Sequence, residues 1–219
     1  MHGNKAATKP IMLLMHKAIL IIFLLVVCAR AFCQDTIFIK VLFLYGSKPA
    51  KGYESVERKW FGGMLGGHAG IEVAPDSVLS FFPHGKFRWF AKKHDLHSRY
   101  LVHTEKQFFQ IFRTNADSVK KAIVIIPVTA AQAQMLDSIK HAYLTQTPYD
   151  YALIGMRCGA ATYEMLSQLG ILKKYNYRKT YTKIFYPKKL RHRLFAVAKE
   201  KGWAIIRQDG SKKRKWERD

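Results

Sequence analysis

"YDYALIGMRCGAATYEMLSQLG", Tyr149–Gly170, places one cysteine between a tyrosine-rich loop and a run of helical period. Ala161, Met165 and Leu169 fall on one face, and Gly170 supplies a stop, so a helix is predicted to begin at Cys158. The first N–H groups of a helix lack intrahelical partners and carry partial positive charge. A sulfur held there is favoured as thiolate, which makes it a nucleophile. The same N–H groups can hold an oxyanion once the sulfur attacks a carbonyl. The competing reading is a buried structural thiol.

A nucleophile needs a base. Upstream, "GGHAGIEV" sets His68 at the mouth of a strand, directly after two glycines. "PDS" reads as a turn and "VLSFFP" as the returning strand of a hairpin. A strand start holds an imidazole rigidly, and a histidine near the thiol takes its proton and returns it to a leaving group. The candidates for a third group that fixes the ring are His84, Ser80 and Glu72, in that order. Glu72 shares a strand face with His68 but sits two pleats away.

These motifs resemble the circularly permuted papain-like, NlpC-type cysteine hydrolases, a superfamily that includes the lecithin:retinol acyltransferase group. The resemblance spans roughly residues 37–172, and His68 precedes Cys158 as in the permuted order. It implies an antiparallel sheet packed against a helix that carries the cysteine at its N-terminus. Cys158 would be the nucleophile and His68 the general base. The substrate would be a peptide amide or an acyl ester, attacked to give an acyl-cysteine intermediate. Relatives place a histidine or another polar residue near the position of Ser80, and often an asparagine where this chain has Arg157. They line the site with the loop that here carries Tyr149 and Tyr151; these, with Gly67 on the approach to His68, are the residues expected against substrate.

The rest of the chain reads as mixed α+β, without βαβ alternation. "DTIFIKVLFLYGS" and "KKAIVIIPV" are strands by alternation and β-branching, and "KQFFQIFRT" is assigned to a strand as well. "TAAQAQMLDSIKHAYLTQ" opens with Thr129 and has Gln132 three residues on, a capping box. Its stripe is Ala133, Leu136, Ile139, Ala142 and Tyr143. "YPKKLRHRLFAVAKEKG" is a helix with Pro187 in its first turn, and "WAIIRQ" closes as a strand. "FGGMLGG" lacks the Lys-Ser/Thr of a phosphate loop. No pair of Cys/His motifs has zinc spacing, so the reading calls for no metal and no cofactor.

Charge and the N-terminus set the surroundings. The chain has 37 Lys and Arg against 15 Asp and Glu, a formal charge of +22. The segment 1–33 has a basic start, an apolar run and small residues near Phe32 and Gln34, the layout of a signal peptide; the alternative is an anchor over residues 11–29. Loss of Lys5, Lys9, Lys17 and Arg30 would take +22 to +18. The exported domain is expected over 34–207, with 208–219 a disordered basic tail. Cleavage would leave no disulfide framework. The expected partner of "KFRWFAKKH" is an anionic cell-envelope polymer or lipid surface rather than nucleic acid. The rival to a hydrolase is a binding module of the same fold that holds such a polymer or lipid.

Overall fold

Strand β1 (Ile37–Leu44) lies inside the main sheet, with both of its edges paired. On one side lies β3 (His68–Ala74), which continues through β4 (Ser77–Pro83) to β6 (Ser98–His103). On the other lies β7 (Lys121–Val128), edged by β9 (Ile205–Gln208). The order is β6-β4-β3-β1-β7-β9, with every pair antiparallel. The computed structural model describes residues 36–57, 67–85, 88–91, 97–112 and 115–219. The expected signal segment, Cys28, Cys33 and most of "FGGMLGG" and "KFRWFAKKH" lie outside the described residues.

The sheet alternates as period two demands. Val41, Phe43, Ala69, Ile71, Leu79 and Phe81 point to one face, where they are buried. Three helices cover that face: α2 (Ala130–Thr145), α3 (Cys158–Gln168) and α5 (Pro187–Lys201). Leu42, Leu44 and Val78 point to the other face, under Phe108 and Phe109 of the short helix α1 (Glu105–Gln110). Each fully buried Leu or Phe contributes roughly 1.5–3 kcal/mol. The architecture is α+β, as expected from the sequence.

Most elements follow their local signals. Thr129 and Gln132 form the capping box of α2, and Gln132 Nε2 also donates to Leu169 O at 2.8 Å, tying the start of α2 to the end of α3. Gly170 ends α3 at a φ of 72°. Ala142 of the expected stripe is exposed, so the buried face of α2 is narrower, centred on Leu136 and Ile139.

Two expectations are corrected, and one stretch without a sequence assignment proves to be a strand. The first five residues of "KQFFQIFRT", expected to be a strand, belong to helix α1: Thr104 and Gln107 close a capping box, and Asp76 Oδ1 in the hairpin turn accepts the Glu105 N–H at 2.8 Å. "SRYLVH" is strand β6 inside a stretch whose basic and aromatic composition hid its alternation. Residues 208–219 are ordered rather than a free tail, and Ile37–Asp219 form one compact unit. There β10 (Arg214–Trp216) pairs with β2 (Ser47–Pro49), and Arg214 donates to Ser47 and Glu57 at 2.8 Å each. Of the charges that suggested disorder, Arg214, Glu217 and Asp219 are paired within the fold.

Candidate functional site

Cys158 opens α3, as the sequence predicts. Its N-cap, Arg157, is extended and makes no side-chain cap bond, which leaves the first-turn N–H groups available. Gly159 is required by packing: a Cβ there would lie 2.8 Å from Pro187 N, at the start of α5. The thiol is 2% exposed. Burial pushes it above its ordinary value; the Ala69 N–H, the Arg157 charge, the Gly159 N–H and the Tyr151 hydroxyl each pull in the other direction without overcoming burial. Cys158 is therefore a protonated thiol at neutral pH, surrounded by groups that favour negative charge.

The histidine expected beside it faces elsewhere. The His68 ring stacks on Phe82 at 4.5 Å between centroids and meets Phe108 at 5.5 Å and Phe112 at 6.3 Å. That is the α1 face of the sheet, whereas the next residue, Ala69, belongs to the α3 face. Burial lowers His68 to about 3, with His103 adding to the shift, and its Nε2 is buried without a hydrogen-bond partner among the described residues. The thiol accepts from the peptide N–H directly after His68. Nucleophile and imidazole thus meet one point of β3 from opposite sides.

The remaining candidates divide along the same plane. Ser80 pairs with Gly70 in register and shares the His68 face, where its Oγ is also buried without a partner among the described residues. Glu72, on that face too, is ion-paired to Lys40 at 3.0 Å. His84 is exposed past the end of β4, its N–H donating to His97 O at 2.7 Å. Gly67 has a φ of 69°, and a Cβ there would lie 1.7 Å from Leu44 O; its freedom serves a close approach to β1. Tyr149 and Tyr151 lie on the Cys158 side, both against Phe81. Tyr149 bonds the Tyr100 hydroxyl, and Tyr151 reaches Cys158 and Arg157. The structure gathers Cys158, Tyr151 and Arg157 into one group and His68, Ser80 and His103 into another.

Sequence reasoning gave no role to Asp150 or to helix α4 (Tyr177–Lys183). Together with the tyrosine loop they wall a cleft of about 470 Å³, lined by Phe90, Tyr149, Asp150, Tyr177 and Tyr181 among others. The density of tyrosine in "TPYDYALIGM" and "KKYNYRKTYTK" was the available signal. Among the described residues no cluster of His, Cys, Asp and Glu could hold a metal ion, and no helix is long and apolar enough to cross a membrane. In comparison with known proteins, the chain matches no family model, no curated protein and no solved structure.

Proposed function

We infer that this chain is a binding module that holds an anionic envelope polymer or lipid surface. The supporting observation is a strongly basic chain that offers bare aromatic surface: Trp89 and Phe90 of β5 (Arg88–Phe90) are each 67% exposed, on a chain of formal charge +22. Aromatic rings flanked by cations bind interfaces where apolar and anionic groups meet. The separation of His68 from Cys158 favours binding over turnover, because among the described residues no imidazole stands beside the thiol to take its proton. Export by the segment 1–33 belongs to the same proposal, since it would deliver the charge to an anionic envelope.

A second reading, an acyl-cysteine hydrolase acting on a peptide amide or acyl ester, has one observation in its favour. The Ala69 and Gly159 N–H groups, the Arg157 charge and the Tyr151 hydroxyl converge on the Cys158 sulfur. That is the surrounding an oxyanion or thiolate requires. In this reading the start of β3 around Gly67 rearranges to bring His68 onto the α3 face, with His68 as general base.

Co-sedimentation of the full chain with phosphatidylglycerol vesicles tests the first reading. Binding is expected at low salt, to fall steeply through physiological ionic strength, and to weaken in Trp89→Ala/Phe90→Ala. Absence of binding at low salt sinks it. Thiol labelling with an electrophile across pH separates the second: the buried, protonated Cys158 should label slowly at pH 7. Fast labelling there, lost in His68→Ala, would establish the nucleophile–base pair instead.

A further inference from the structure

The geometry points to the Asp150 cleft as a binding site for a primary ammonium group carried on a short apolar stem. The inference shares Phe90 with the proposed function as a wall of the cleft but rests on Asp150, and it needs neither the basic surface nor the thiol.

Asp150 is 4% exposed. Its Oδ1 accepts the His97 N–H at 3.2 Å, and its Oδ2 is buried with no hydrogen-bond partner among the described residues. A buried carboxylate oxygen left without a donor is costly, so a cationic N–H donor is the group that would satisfy it. The residue lines the 470 Å³ cleft, a volume suited to a small organic ligand.

The walls have the same preference. Tyr149 and Tyr177 lie 6.3 Å apart between ring centroids, and Tyr177 and Tyr181 5.3 Å, so three rings run in series along the cleft with Phe90. Aromatic faces attract cations and cover apolar stems. Burial first, then Tyr181 and Asp150, hold the Tyr177 phenol above its ordinary value. Among the described lining residues Asp150 is the one charged side chain, with no Lys or Arg beside it. On a chain with 37 basic residues against 15 acidic ones, a lining whose described residues include one acid and no base selects against anions.

The test is calorimetric titration of the full chain at pH 7 with butylammonium, 1-butanol and butyrate. Butylammonium should saturate one site and bind at least tenfold more tightly than the alcohol or the acid. Asp150→Asn keeps the acceptor for the His97 N–H and removes the charge; it should weaken butylammonium at least tenfold. Tyr177→Ala should weaken it severalfold, while Tyr177→Phe, which keeps the ring, should not. Equal binding of butanol and butylammonium in the parent, or no saturable binding of butylammonium, overturns the inference, and neither result depends on a variant folding. An unchanged affinity in folded Asp150→Asn overturns it as well. Alanyl-alanine amide and glycerophosphoethanolamine both carry the ammonium, so whichever binds more tightly identifies a peptide or a lipid headgroup as its source.

Discussion

His68 and Ala69 leave β3 in opposite directions, and that one alternation decides what Cys158 has for company. A neutral imidazole packed among phenylalanines is held far from its charged form. Its folded value of about 3 lies below the ordinary 6.5, so the unfolded chain takes up the proton first. The stability that His68 contributes is whole above pH 6.5 and drains as pH falls towards 3, at about 1.4 kcal/mol per unit inside that window. His103, lowered by its own burial on the same face, adds to the slope. His68→Phe should flatten the loss of stability between pH 6.5 and 4 in urea titrations. At pH 7 it should be neutral or stabilising by about 1 kcal/mol, because a buried unpartnered nitrogen is replaced by a ring of similar shape. A loss of more than about 2 kcal/mol at pH 7 would mean that Nε2 has a donor or acceptor in solution.

Helix α1 covers the face on which His68 lies, and its existence depends on a cap. Thr104→Ala removes the side-chain acceptor of the Gln107 N–H and should cost about 1 kcal/mol, with faster amide exchange confined to residues 105–110. Exchange that quickens evenly over the whole sheet would show α1 to be part of the global unit rather than a local one. The same helix marks what the sequence could and could not disclose. Strands β1, β3, β4 and β7 and helices α2, α3 and α5 carry their periods, caps and stops within a dozen residues, so they are legible. In "KQFFQIFRT" the adjacent phenylalanines fit either period, and the deciding capping pair with Gln107 begins at Thr104, outside the stretch. The start of α3 at Cys158 was legible from its period, and the structure sets the thiol against the peptide next to His68. The face was not, because alternation fixes which residues of a strand agree, not the side of the sheet to which a helix about ninety residues later returns.

At the scale of the whole molecule, Arg191 joins the two ends of the compact unit. Its guanidinium is fully buried, 3.6 Å over the Tyr45 ring, with Nε donating to Asp219 Oδ1 at 3.2 Å. Nη2 lies at ion-pair distance, 3.3 Å, from Glu217 Oε2 without the alignment of a hydrogen bond. Glu217→Gln/Asp219→Asn should lower stability by at least about 2 kcal/mol, less than the ~3–5 of a wholly enclosed pair because Asp219 keeps contact with water. A double variant within about 0.5 kcal/mol of the parent would show that water already serves the guanidinium. The two carboxylates are also the last of these groups to leave the ribosome. While the chain is being made, Tyr45 and Arg191 emerge with no anion to neutralise the charge, and closing the core over it would be opposed by several kcal/mol. Closure of the α5 face over Arg191 is therefore expected to follow the emergence of residues 217–219, however early the sheet beneath it is made.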